Sequence, residues 1–289
     1  MKIYILPTKT LLQSPGQPFK YPAHNKDYGV EQDFYKYITE QNGLTTNDPK
    51  EADWHYLPVF WTRWHLNHDY GKNGVELLQE EVNKMIIDDK KTFTICQYDD
   101  GPLVDIGETT QFLAARKGKE GIDIPVLCSP HRYPFFTPRK KYLASFVGRL
   151  STNNIRKLMA KELSKTKDVF IVDGNKGSSF FVKNTLRSYI ALCPRGYGGS
   201  SFRLFESMQL RVVPLVIGDL DIRPFKKFID WDTVSLYTNN VKNIEKIMFS
   251  NPLKKLVEMG DKAKDLYEKE LAYGKWCKYV LLELEQCKK

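Results

Sequence analysis

The residues most able to do chemistry stand together in the run Leu192-Cys193-Pro194-Arg195-Gly196-Tyr197-Gly198-Gly199-Ser200-Ser201-Phe202-Arg203-Leu204-Phe205-Glu206. The order reads as a strand, a glycine-rich turn and a helix. Gly196, Gly198 and Gly199 allow a tight turn and a close approach of backbone to ligand. Ser200 and Ser201 stand where the helix begins. The free N–H groups and the helix dipole there make an anion site that suits a diphosphate. Arg195 and Arg203 flank the turn with planar forks that match phosphate oxygens. Glu206 follows Arg203 by three residues, so both side chains leave the same side of the helix. A carboxylate in that place can accept two hydrogen bonds from a ribose. The plainer alternative is a helix cap with an intrahelical Arg–Glu pair. The spacing matches neither GxxxxGK[ST] nor GxGxxG.

The elements that must hold this run are most regular in the second half of the chain. Residues 142–147, 169–172, 188–193, 212–217 and 233–236 read as strands. Residues 155–163, 178–186, 201–210, 241–249 and 252–267 read as helices, with Ser151 or Thr152 able to cap the first of them. Strand alternating with helix predicts a parallel sheet covered on both faces. The first half is less regular. Strands are expected at 2–6, at 54–60 (interrupted by Pro58), at 92–97 and at 126–127. Helices are expected at 30–40 and 75–87, and a long loop at 12–29. The expected domains are residues 1–140 and 141–265, with a last helix over 266–289 packing back on the first domain. Trp276, Val280 and Leu284 give that helix one apolar face.

Composition bounds the rest. With 289 residues, 42% hydrophobic and 27% charged, the chain has the balance of a globular protein, not a disordered one. No window of about 18 apolar residues occurs, so no transmembrane helix is expected. The start, Met1-Lys2-Ile3-Tyr4-Ile5-Leu6-Pro7, is too short an apolar run for a secretory signal. Cys96, Cys128, Cys193, Cys277 and Cys287 are odd in number and widely spaced, without a CxxC pair. A reducing compartment fits them best. The net charge of +9 points to anionic partners, but it is spread without a basic tract, which argues against nucleic acid.

The run CPRGYGGSSFRLFESMQ, followed by Val213-Pro214-Leu215-Val216-Ile217, resembles the signature of the exostosin glycosyltransferases. Flanking stretches resemble the same family in order: YGVEQDF at 28–34, Thr46-Asn47-Asp48-Pro49-Lys50-Glu51-Ala52-Asp53, YLPVF at 56–60, SFVGR at 145–149, Pro224-Phe225 and Ile229-Asp230-Trp231. The resemblance implies an inverting α/β enzyme of GT-B fold, with two Rossmann-like domains facing a central cleft. It implies a UDP-sugar donor, a glycan acceptor, no separate cofactor and no metal. The donor would be held by Arg149, Arg195, Gly196, Tyr197, Gly198, Ser200, Ser201, Phe202, Arg203 and Glu206, with Arg156 a weaker candidate. The family's usual membrane anchor and its Gly-Arg-Asp-His stretch are absent, and the first absence leads to an expected cytoplasmic location.

Inverting transfer needs a general base and positive charge at the leaving group. Asp100, with Asp99 beside it, follows a strand and is the preferred base. An ordinary Asp-Gly-Pro turn is the competing reading, and His24, His68 and His131 are weaker candidates. Asp219-Leu220-Asp221 could hold a metal in another fold but aligns with no metal position here. Trp61 and Trp64 are expected as a surface pair for stacking an acceptor sugar. The reading from a different class is a non-catalytic carbohydrate- or nucleic-acid-binding protein.

Overall fold

The structure is a computed structural model and describes residues 1–14, 29–128, 130–131 and 133–287. The chain divides into two units, Met1–Leu127 with Tyr273–Lys289, and Cys128–Ala272. The division thus falls at 127/128 instead of near 140, and the proline-rich residues 130–138 go with the second unit.

The first unit holds β1 (Ile3–Ile5), α1 (Val30–Glu40), β2 (Thr45–Thr46), β3 (Trp54–Leu57), α2 (Trp61–Asn67), α3 (Val75–Met85), β4 (Thr92–Cys96), β5 (Thr110–Leu113) and β6 (Ile122–Asp123). Its sheet order is β2-β1-β3-β4-β5-β6, with every pair parallel. β3 stops before Pro58, because proline has no N–H for the ladder. The expected strand at 126–127 is not formed. β5 and β6, short and partly exposed at the sheet edge, take that part of the sheet instead. The core is aromatic. Phe34 from α1, Tyr56 from β3 and Phe93 from β4 are fully buried, with Tyr56 stacked on Phe93 at 5.1 Å.

Trp61 and Trp64 belong to this core. They are 0% and 2% exposed, and Trp61 Nε1 donates to Thr94 Oγ1 at 2.8 Å. The expected surface pair is therefore corrected. α2 carries buried residues on most of its circumference, and the sequence alone does not reveal that it is covered. At the chain's end, Asp33 Oδ2 accepts from Gly274 N at 2.6 Å and Trp276 Nε1 at 2.8 Å, which ties the last segment to α1.

The second unit holds β7 (Tyr142–Gly148), α4 (Asn154–Glu162), β8 (Val169–Asp173), α5 (Ser178–Leu186), β9 (Ser188–Pro194), α6 (Phe202–Gln209), β10 (Val213–Ile217), β11 (Leu236–Thr238), α7 (Ile244–Phe249) and α8 (Leu253–Leu266). Its order is β11-β10-β9-β7-β8, all parallel. The central strands are buried on both faces, which is why they read as continuous apolar runs. β11 lies a few residues beyond the expected 233–236. After α8 comes a π-helical turn, Tyr267–Leu271, and then α9 (Cys277–Cys287) in the first unit, so the expected single helix over 266–289 is broken. Its apolar face holds, with Trp276, Val280 and Leu284 buried. Among the described residues, no helix is long and apolar enough to cross a membrane.

Candidate functional site

The second sheet changes direction between β7 and β9: β8 lies outside β7 on one side, and β10 and β11 continue from β9 on the other. Open parallel sheets bind ligands beyond the carboxyl ends of the strands at such a switch point. The loops that leave β7 and β9 there are the Gly148-Arg149 turn and the 195–201 turn. Topology therefore brings together the two segments singled out in the sequence.

Arg156 on α4 links these turns. It is 5% exposed. Its Nε donates to Arg195 O at 2.9 Å, Nη1 to Arg149 O at 3.1 Å and Nη2 to Pro194 O at 3.5 Å. Asn153 adds a fourth tie, Nδ2 donating to Gly196 O at 3.1 Å. Asn153 also caps α4, its Oδ1 accepting from Ile155 N at 3.0 Å. The cap is thus Asn153 and not Ser151 or Thr152, which lie in a short 3-10 turn before it. Sequence reasoning missed this second role, although Asn is as good a cap as Ser.

Arg203 leaves α6 and lies over the Phe146 ring, 4.7 Å from its centroid. Its Nε and Nη2 donate to Val147 O at 3.1 and 2.8 Å. Arg156 sits over the same ring at 5.7 Å. Both guanidinium groups donate to carbonyls, and among the described residues neither is hydrogen-bonded to a carboxylate. Burial, and after it the neighbouring Arg203, lower the pKa of Arg156 to about 9. Burial also lowers the pKa of Arg203, against the pull of Glu206. Arginine is protonated in proteins at neutral pH, so the switch point carries two neighbouring guanidinium groups. Gly148 makes this arrangement possible. A Cβ there would stand 1.9 Å from Arg203 Nη2.

The glycine-rich turn is shaped by its own contacts. None of Gly196, Gly198 and Gly199 has a positive φ, so the left-handed freedom of glycine is not what the turn uses. Close approach is the reason at Gly196, where a Cβ would meet Ser200 O at 3.1 Å. Gly196 N donates to that same oxygen at 2.9 Å and closes the turn. Ser200 and Ser201 are buried, and Ser201 is the N-cap of α6, its Oγ 3.4 Å from Arg203 N. Phe202 opens the helix and Tyr197 is exposed at the turn. Arg195 braces the turn: Nε donates to Gly198 O at 3.1 Å and Nη1 pairs with Asp219. Arg149 is exposed just beyond β7.

Glu206 is buried one turn into α6, with Oε1 3.1 Å from His131 Nε2. His131 N donates to Gln209 Oε1 at 2.7 Å, which fixes the histidine over α6. His131 is thus a neighbour of the expected ribose carboxylate. The Asp219-Leu220-Asp221 triplet is engaged in ion pairs, Asp219 with Arg195 and Asp221 with Arg223 at 2.9 Å. Among the described residues, no group of three His, Cys, Asp or Glu is placed to hold a metal.

In the first unit, Asp99 and Asp100 occupy the turn beyond β4, where Gly101 N donates to Tyr98 O at 3.0 Å. Asp100 pairs with Lys117. His68 is stacked on Trp64 at 3.8 Å, with Nδ1 2.8 Å from Trp64 O. His24 lies outside the described residues. One carboxylate that the sequence reading passed over is Glu31, fully buried in α1. Its Oε1 accepts from Thr62 N at 3.2 Å, Thr62 Oγ1 at 2.8 Å and Gln97 N at 3.1 Å. Burial pushes its pKa from 4.5 to about 7, against these hydrogen bonds.

A family model, the Exostosin GT47 domain, matches residues 96–250, more than half of the chain. A probable glucuronosyltransferase of Oryza sativa subsp. japonica is 22% identical over 88% of this chain and 72% of its own length. The exostosin-1 homolog of Caenorhabditis elegans is 30% identical over 28% of this chain, and the match spans only 22% of that longer protein. In the crystal structure of TarM, a 12% identical chain superposes with a TM-score of 0.42, covering 74% of this chain and 58% of that one. That likeness is too weak to carry a conclusion about activity. The family match covers β7 through α7 with the whole switch-point cradle, and the chain belongs to the exostosin GT47 domain family.

Proposed function

We propose that this protein is an inverting glycosyltransferase that moves a sugar from a UDP-sugar to a hydroxyl of a glycan acceptor. The observation that carries the reading is the pair of buried guanidinium groups, Arg156 and Arg203, which donate to carbonyls beside the N-terminus of α6 at the switch point. A leaving diphosphate develops negative charge, and preorganised donors in a partly dry site stabilise it. Arginines and helix N–H groups supply that charge without a metal. Ser200, Ser201 and Phe202 present the start of the helix, Gly148 leaves room, and Arg149 at the exposed turn reaches the diphosphate. Glu206 takes the ribose hydroxyls.

Asp100, with Asp99 beside it, takes the proton of the acceptor hydroxyl. The freed oxygen attacks the anomeric carbon on the face opposite the diphosphate. The bond from that carbon to the diphosphate oxygen breaks, UDP leaves with the electron pair, and the configuration inverts. The donor sugar is one of glucuronate, galactose, N-acetylglucosamine, arabinose or xylose.

The test is transfer from these UDP-sugars to an oligosaccharide panel in EDTA, with the product anomer read by NMR. One donor should be used, with inverted configuration. Asp100→Asn should lower kcat by about a hundredfold or more, the range of a lost general base, with donor KM unchanged. No transfer and no UDP hydrolysis from any donor would favour the carbohydrate-binding protein instead.

A further inference from the structure

At the edge of the second sheet opposite the switch point, the strand starts gather positive charge. Arg139 and Lys141 precede β7, Lys165 and Lys167 precede β8, Arg187 precedes β9, and Arg211 precedes β10. All strands of the sheet are parallel, so these starts share one edge. Backbone contacts hold them side by side. Lys141 N and Tyr142 N donate to Arg187 O at 2.7 and 3.0 Å, and Leu143 N donates to Asp168 O at 2.7 Å. Glu162, Asp168 and Asp261 are the acids along the edge, and the last pairs with Arg211 at 3.5 Å. The balance stays basic.

Phe135 and Phe136 stand on the segment that leads to this edge. They are 94% and 83% exposed, in an edge-to-face pair with centroids 4.9 Å apart. Tyr133, two residues before them, packs under the Arg211 guanidinium at 5.2 Å, which joins the aromatic tip to the basic edge. Two neighbouring phenylalanines left in water need an explanation. Rings nearly perpendicular to each other, at 84°, offer no common flat face on which a base or a sugar could stack. A lipid headgroup region asks only for apolar area beside cations.

We propose that this edge docks on an anionic membrane surface, with Phe135 and Phe136 entering the interface and the surrounding cations held on the lipid headgroups. The inference is independent of the donor-site reading.

The experiment is co-sedimentation of the full chain with vesicles of phosphatidylglycerol in phosphatidylcholine, against vesicles of phosphatidylcholine alone. Binding should be roughly tenfold or more stronger to the anionic vesicles and should weaken in high salt. The double variants Phe135→Ser with Phe136→Ser, and Arg139→Glu with Lys141→Glu, should each lose at least about tenfold, with an unchanged melting temperature. Absence of binding to anionic vesicles would overturn the proposal. So would binding that the serine variant retains in full. Retention on heparin shared by the serine variant, without vesicle binding, would identify a polyanion surface and overturn it as well.

Discussion

Arg156→Ala is expected to weaken UDP binding by about ten- to a hundredfold and to lower stability by about 2–4 kcal/mol, the range for a lost buried charged donor. The expectation follows from what the guanidinium touches. Three carbonyls, of Arg149, Pro194 and Arg195, lose their donor at once, and they belong to both turns of the switch point. The turns then lose the tie that aligns them, and the cradle loses one of its two buried guanidinium groups over Phe146. Relief of repulsion between Arg156 and Arg203 offsets part of the cost. Arg156→Lys keeps the charge without the planar fork, so it should recover affinity in part. Calorimetric titration of UDP together with denaturant unfolding checks both numbers. Wild-type affinity and stability in Arg156→Ala would show that the turns hold without it.

Glu31 is expected to make the protein less stable as pH rises toward neutrality. Its folded pKa is about 7 against 4.5 for the free group. Between those values the folded state holds a proton that the unfolded state has released. Stability therefore falls as pH rises from about 4.5 to 7 and levels off above, by about 3 kcal/mol in all at 1.36 kcal/mol per pKa unit. Among the described residues, buried Oε2 of Glu31, Oη of Tyr56 and Oε1 of Gln97 have no hydrogen-bond partner. Glu31→Gln keeps an acceptor for the donors from Thr62 and Gln97 and adds an N–H donor among these groups. The variant should be more stable than wild type in urea at pH 8, and the gain should vanish near pH 5. Glu31→Ala should be less stable at both, because the three donors lose their acceptor. Equal pH dependence in wild type and Glu31→Gln would contradict the assignment.

The sequence was most legible where several signals coincided. The strands of the second unit are apolar on both faces and are separated by amphipathic helices, so order and type could be read directly. The glycines, serines and arginines of 195–203 marked the cradle because strand end, turn and cap fall within a few residues. The contacts inside it were less legible. That Arg203 reaches back to Val147 O, and that Arg156 rather than Arg195 connects the two turns, depends on packing across Phe146. β5 and β6 escaped because short, partly exposed strands near a sheet edge carry a mixed pattern. Trp61 and Trp64 looked like surface residues because a tryptophan beside Arg63 and His65 reads the same whether its helix is covered or bare. Glu31 escaped because a glutamate in a helical stripe is normally solvated, and only tertiary structure buries it.

The central claim is that the switch point between β7 and β9 holds a nucleoside diphosphate through arginine charge and the start of α6. Titration of UDP and UMP, with EDTA present, into wild type and Arg203→Ala tests it most directly. UDP should bind at least about tenfold more tightly than UMP, since the second phosphate adds charge-assisted hydrogen bonds worth about 1.4 kcal/mol or more. This difference should collapse in Arg203→Ala. Equal affinity for UDP and UMP in wild type, or no binding of either, would contradict it.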